Sequence, residues 1–249
     1  MTQQFDELAA LYEEMASWPF RKYCEIPSTI EKAGRLEGLS VLDFGCGSGF
    51  YTRLLKQHGA KKVVGYDISS GMVDYARRRE EKEQYGITYT DNKDSIPSNH
   101  FDLVISVYIL PYARNHKELV DLCQAMISPL KTGGRLITLP LHPNYSLTSS
   151  YYRPYGFDLI SSNSTPRTDE TPLQLHLCHP PYDDFVTAYY WREKTLTSAL
   201  QQQGLNDIEW ENFQVTHEGR EILGDSFWEA YQSCPHSLII SGYKGRPTC

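Results

Sequence analysis

The chain has 249 residues, 40% hydrophobic and 22% charged, and its 24 Lys plus Arg against 31 Asp plus Glu leave a net charge of −7. That length suits one large α/β domain, and the acidic balance argues against a nucleic-acid partner. The longest apolar run, Leu103–Leu110, falls far short of the ~20 residues that cross a bilayer, and the polar stretch from Met1 to Glu7 has no signal-peptide core, so a cytoplasmic chain with no membrane partner is expected.

Phe5, Leu8, Leu11, Tyr12 and Met15 recur at helical spacing over 2–17, which predicts an amphipathic helix stopped by Trp18-Pro19. A second helical stretch over 20–34 ends at Gly34. The strand Val41–Phe44 then runs into Gly45-Cys46-Gly47-Ser48-Gly49. Next come a helix over 51–58 closed by Gly59, a strand over 62–66, a helix over 71–83 and strands over 87–90 and 101–107. A helix over 117–128 and a strand over 135–139 follow. Short apolar strands alternating with helices predict a Rossmann-like, mostly parallel seven-stranded sheet with helices on both faces.

The alternation breaks after 140. Residues 141–192 are rich in Tyr, Ser and Pro, with weak periodicity until a β-like run over 185–191, and are read as a cap insert after the fifth strand. A helix over 193–203, a strand over 208–215, a loop, a short helix over 226–232 and a strand over 237–243 complete an α/β fold with an antiparallel edge strand. The organisation expected is a single domain over 1–249: a helical lid (1–35), a core (41–139), the insert (141–192) and closing elements (193–249). The six cysteines have no paired spacing, which excludes a disulfide scaffold. His176, Cys178 and His179 lack a second ligand pair, so no metal is expected.

The glycine loop sets the ligand class. A strand ending in GxGxG and turning into a helix lets backbone approach a ligand, and the helix N-terminus offers unpaired N–H groups. Dinucleotide sites prefer GxGxxG; here the third glycine comes one residue early. Asp43, two positions before the first glycine, is awkward beside pyrophosphate but suits a ligand carrying an ammonium and a sulfonium. Asp67 closes the next strand, where a carboxylate can accept from both hydroxyls of a ribose.

Val41 to Gly49 resembles the first motif of class I S-adenosylmethionine-dependent methyltransferases. Val64-Gly65-Tyr66-Asp67-Ile68-Ser69 with Met72 is similar to their second, Phe101–Val104 to the fourth-strand motif and Leu130–Leu136 to the turn before the fifth strand. The resemblance implies S-adenosyl-L-methionine as cofactor, with Gly45 and Gly47 flanking its methionyl part and Asp67 on the ribose. It also implies that Ile68 and Met72 sandwich the adenine, with Val107 at the fourth strand's end and Asp91 with Asn92 at the adenine amino group. Asp94 competes for that last place. In the second half, His142–Leu147, Tyr155-Gly156, Tyr190-Trp191-Arg192, Ile208-Glu209-Trp210 and Phe227-Trp228 with Cys234 are similar to the toxoflavin-pathway N-methyltransferase branch. This implies a small-molecule acceptor methylated at nitrogen.

Individual side chains keep two readings each. Tyr12 either hydrogen-bonds the methionyl carboxylate from a lid or belongs to an apolar stripe. Arg21 either pairs with that carboxylate through its planar fork or is a surface arginine. Cys46 is read as a small side chain under the cofactor, since methyl transfer from a sulfonium needs no covalent enzyme intermediate. His142, past the fifth strand, is a candidate proton acceptor, and Tyr108 a candidate rim residue for the acceptor. Among the 18 tyrosines, Tyr145, Tyr152 and Tyr190, with Trp191, are candidate faces for a flat acceptor. Two competitors stay open: a nicotinamide dehydrogenase, although its GxGxxG and catalytic pair are missing from the pattern, and a non-catalytic nucleotide-binding protein.

Overall fold

The structure, a computed structural model, describes residues 8–148, 150–161, 167–178 and 182–245. Phe5, His179, Cys249 and the 163–165 segment therefore lie outside the described residues. The strands of the main sheet are β1 (Ser40–Phe44), β2 (Lys62–Tyr66), β3 (Thr88–Thr90), β4 (Phe101–Val107) and β5 (Leu130–Leu139). They are joined by β9 (Leu205–Glu211) and β10 (Ile239–Lys244) in the order β3-β2-β1-β4-β5-β10-β9. The first five pair in parallel, and β10 pairs antiparallel with both β5 and β9. The expected antiparallel strand is thus real, but it is the last strand of the chain, inserted one place in from the edge. β9 takes the edge itself, with exposed polar residues in alternation.

Two cores sit on the two faces of this sheet because neighbouring residues of a strand point oppositely. Val41, Val63, Leu103 and Ile137 share one core with Ala33 of α2 (Ile26–Ala33), Leu55 of α3 (Phe50–Gln57) and Val73 of α4 (Ser70–Glu83). Leu42, Val64, Val104 and Leu136 share the other with Leu119 of α5 (His116–Ile127) and Leu196 of α6 (Glu193–Gln202). Double coverage explains why these strands read as continuous apolar runs. Ser69 caps α4 by accepting from the Met72 N–H (3.2 Å) and Asn115 caps α5 by accepting from Glu118, so both helices start where a short polar side chain can satisfy an orphan donor.

Three regions depart from the sequence reading. The second helical stretch divides into a π-helical turn, Arg21–Glu25, and α2; the first contributes α1 (Ala9–Glu14) and a 3₁₀ turn, Met15–Ser17. The 217–223 segment, read as loop, is helix α7 (His217–Leu223), capped by Thr216 and running into α8 (Asp225–Ser233). The insert is not weakly structured. It forms its own antiparallel sheet, β6 (Phe157–Ser161), β7 (Pro172–Leu177) and β8 (Asp184–Tyr189), in that order. Its inward side joins the first core: Tyr152 stacks on Phe157 (5.2 Å between ring centres) and Phe157 meets Phe20 edge-on at 5.1 Å. Among the described residues, no helix is long and apolar enough to cross a membrane.

Candidate active site

The glycine loop is held from below by its own backbone. The Gly45 and Cys46 N–H groups both donate to Tyr66 O (2.7 and 2.8 Å), clamping the loop to the end of β2. Gly45 has φ +81°, and a Cβ there would lie 2.2 Å from the Ile109 side chain. Gly49, at φ +83°, has no room either, since a Cβ would meet the Tyr89 hydroxyl at 2.7 Å. Left-handed backbone and close packing together demand glycine. Asp67 closes the loop from the side, accepting from Gly47 N–H (2.8 Å) and Ser69 N–H (2.9 Å). These bonds fix a carboxylate on the wall of the cavity, where it can accept from hydroxyl groups of a ligand.

Above this loop lies a cavity of about 340 Å³ at the C-terminal end of the parallel strands. This is where open α/β sheets carry ligands. Asp43, Gly45, Cys46, Gly47, Asp67, Ile68, Met72, Val107, Tyr108, Tyr12 and Arg21 all line it. Ile68 is 59% exposed at its wall while Met72 is buried, so an apolar face is presented beside the loop. Asp43 is 1% exposed and accepts from the Thr52 hydroxyl (2.6 Å). Burial pushes its carboxyl up to about 7, partly offset by Thr52. Burial also pushes the Cys46 thiol far up, reinforced by the Asp43 charge, so it stays protonated. Tyr12 reaches the cavity from α1, and its hydroxyl meets that of Tyr112.

The other wall was not legible. Phe50, Tyr51, Ile109, Tyr112 and Lys93 line the cavity as well, and behind Tyr51 and Tyr108 stands Glu25, fully buried. Glu25 accepts from Arg21 Nε (3.0 Å), from the Tyr51 hydroxyl (3.0 Å) and from the Tyr108 hydroxyl (2.5 Å). Tyr108 also meets His236 Nε2 at 3.1 Å, and His236 Nδ1 meets the Tyr231 hydroxyl at 2.8 Å. Burial, with His142 and Arg21 nearby, holds His236 down to about 3, so the ring is neutral. Burial opposes the Arg21 charge, but Glu25 outweighs it and the guanidinium is held charged. Its Nη1 and Nη2 groups have no acceptor among the described residues, although the side chain is 7% exposed and lines the cavity.

Several expected site residues lie elsewhere. Asp91 is paired with Arg77 (3.3 Å), and Asn92 is spent accepting from Asp94 N–H (3.0 Å) at the start of a 3₁₀ turn; this turn presents Lys93 to the cavity instead of Asp91, Asn92 or Asp94. His142 does not line the cavity: its backbone N–H donates to His236 O and its Nδ1 accepts from Asn144 N–H (2.9 Å). The lone pair a base needs is engaged in a turn. Tyr145, Tyr152 and Tyr190 are buried in the insert's core, with the Tyr152 hydroxyl between Ser146 N–H (2.8 Å) and Cys234 O (3.0 Å), and the Tyr190 hydroxyl on Pro143 O. Trp191 is buried against the opposite face, its Nε1 donating to Ala113 O (3.3 Å). None of the four lines the cavity: the three tyrosines fill the core beneath the insert with their hydroxyls engaged, and Trp191 fills the core on the other face. Among the described residues no cluster of His, Cys, Asp and Glu could hold a metal ion.

Strand order, glycine loop and acid at the end of β2 together define the Rossmann-like methyltransferase fold. Residues 41–134 match the family model described as a methyltransferase domain. A ubiquinone biosynthesis O-methyltransferase of Coxiella burnetii is 31% identical over 119 residues, 47% of this chain and 49% of that protein. A ribosomal protein L11 methyltransferase of Burkholderia multivorans is 36% identical over 99 residues, 40% of this chain and 31% of that protein. The chain thus spans at most about half the length of these two curated relatives. A crystal structure of an S-adenosylmethionine-dependent methyltransferase from Mesorhizobium loti superposes with a TM-score of 0.62 at 22% identity, covering 92% of this chain and 99% of that one.

Proposed function

We propose that the protein is an S-adenosylmethionine-dependent methyltransferase acting on a small molecule, at nitrogen. The observation that carries this reading is the wall made by Asp43, Gly45, Gly47, Asp67, Ile68 and Met72 around one cavity. It offers a carboxylate for a ribose, apolar side chains for a purine, and a buried acid where a cationic sulfur would lie. The names of the relatives support methyl transfer, and the bare backbone of Gly45 and Gly47 at the cavity wall supports close approach of a ligand. Asp67 is assigned to the ribose hydroxyls, Ile68 and Met72 to the adenine, and the unpartnered Nη donors of Arg21 to the methionyl carboxylate, through a planar fork.

The bound cofactor supplies a methyl group already activated by positive sulfur. The protein's task is to align donor and nucleophile and to exclude water. Tyr12 and Tyr112 line the cavity with their hydroxyls hydrogen-bonded to each other, and Phe50 and Ile109 give it apolar walls. The nitrogen preference rests on the resemblance of 142–234 to the toxoflavin-pathway branch. The test is methyl transfer from labelled S-adenosylmethionine to separate panels of N-heterocycles and amines, phenols, and ribosomal protein. Turnover confined to the phenol or the protein panel would reassign the acceptor. A thermal shift with NAD and none with S-adenosylhomocysteine would favour the dehydrogenase reading, and homocysteine-product binding without turnover on any panel the non-catalytic one.

A further inference from the structure

The hydrogen bonds behind the cavity have only one consistent direction. Glu25 Oε2 accepts from Tyr108 at 2.5 Å, so the Tyr108 proton points to the carboxylate and its oxygen must accept from His236. His236 is therefore the Nε2–H tautomer, and its Nδ1 accepts from Tyr231 at 2.8 Å. This tautomer is assigned from the network. Every member except Tyr108 is buried: Glu25 at 0%, Tyr51 at 4%, His236 at 5% and Tyr231 at 1% exposed. Tyr108, half-buried, lines the cavity together with Tyr51 and Arg21, and it sits at φ +60°, a backbone state that a tyrosine adopts only when its surroundings impose it. Its neighbour Ile109 abuts Gly45, and Tyr108 and the glycine loop line the same cavity. With its proton on Glu25 and one lone pair on His236, the tyrosine oxygen has one lone pair left, on a side chain that lines the cavity.

Resting on the S-adenosylmethionine reading, we propose that Tyr108 and Glu25 form the subsite for an N–H nucleophile, the phenol oxygen accepting the acceptor's hydrogen and Glu25 answering the positive charge that arrives on nitrogen. Arg21 would otherwise cancel that carboxylate. A cofactor carboxylate on its Nη groups returns the cluster to net negative, so the charge is available only when the donor is in place. In the reaction the nitrogen lone pair forms the N–C bond while the S–C pair returns to sulfur. The N–H proton passes to Tyr108 Oη as the Tyr108 proton passes to Glu25 Oε2, leaving a neutral carboxylic acid. A burial-raised phenol, which resists ionising on its own, suits a relay in which it is never an anion.

The test needs no knowledge of the acceptor. Sinefungin carries C–NH₃⁺ where the cofactor carries S⁺–CH₃, so its ammonium reports on the point of transfer, while S-adenosylhomocysteine lacks that group and shares the rest. Titration calorimetry with both ligands on the wild type, Glu25→Gln and Tyr108→Phe, with circular dichroism for folding, gives the ratio of their affinities. The subsite predicts that sinefungin's advantage falls about tenfold in Glu25→Gln and by at least about threefold in Tyr108→Phe, with binding of the homocysteine product retained. An unchanged ratio in a folded variant, or equal weakening of both ligands, overturns it; should Glu25→Gln not fold, Tyr108→Phe decides alone. Absence of homocysteine-product binding to the wild type would instead remove the cofactor reading on which the proposal rests.

Discussion

The 41–139 core and the 141–192 insert face the same end of the sheet, yet they encode their roles differently. In the core, function is a matter of neighbours in sequence: Asp43 to Gly49 are one turn, and Asp67, Ile68 and Met72 one strand end and one helix start, and all of them line the cavity apart from Gly49, which packs on Tyr89. In the insert, a concentration of tyrosines looks like a binding surface and is a core instead, since Tyr145, Tyr152 and Tyr190 are each 4% exposed or less. Aromatic content alone does not separate a platform from a filling; what separates them is whether the ring reaches the cavity, as Tyr12, Tyr51, Tyr108 and Tyr112 do and the three insert tyrosines do not.

The sharpest way to break this contrast is Tyr152→Ala. Removing a fully buried ring with two satisfied hydrogen bonds should cost ~3–5 kcal/mol of stability. Affinity for S-adenosylhomocysteine in the folded fraction should stay within about twofold. Thermal melts and calorimetry on the same sample check both, and a stable variant with altered ligand binding would put the insert back into the site. The reciprocal change is Gly45→Ala. Strain at φ +81° and the approach to Ile109 should weaken homocysteine-product binding about a hundredfold, close to 2.7 kcal/mol. Within the protein Gly47→Ala has only strain to meet, its nearest neighbour being Met72 S at 4.0 Å, so apart from the methyl it adds at the cavity wall it should cost less.

A smaller effect sharpens the core side of the comparison. Asp43 is held up to about 7 by burial, so it is largely ionised above that pH and largely protonated below it. A sulfonium ligand favours the ionised form and must displace a proton at lower pH. Affinity for S-adenosylmethionine should therefore fall as pH drops from about 8 to 6, by at most about tenfold per unit, and more steeply than affinity for the neutral-sulfur product. Calorimetry at stepped pH measures the two slopes; parallel slopes would place Asp43 away from the sulfur.

Legibility followed the same divide. The parallel sheet and its loop could be read because alternating apolar strands and helices, punctuated by Gly34, Gly59 and Gly204, leave few topologies open. β6 and β7 were missed because their side chains alternate weakly amid Ser and Pro, and α7 because it is seven residues long with little apolar face. Glu25 had one local signal, its spacing of four from Arg21 among apolar residues. Its meaning depends on Tyr108 and His236, which arrive from 83 and 211 positions away along the chain, and no periodicity reports such a meeting. Asp91 and Asn92 fell at the right strand end, but a 3₁₀ turn rotates them out and Lys93 in.

The central claim, that the cavity at the C-terminal ends of β1, β2 and β4 is a site for S-adenosylmethionine, is met most directly by titrating S-adenosylhomocysteine and NAD into the wild type and Asp67→Ala. The account predicts binding of the first ligand and not the second. Asp67→Ala should lose ~1.5–3 kcal/mol, roughly one to two powers of ten, because the same carboxylate holds Gly47, Ser69 and the ribose. NAD binding tighter than the homocysteine product, or an Asp67→Ala variant with an unaltered dissociation constant, would contradict it.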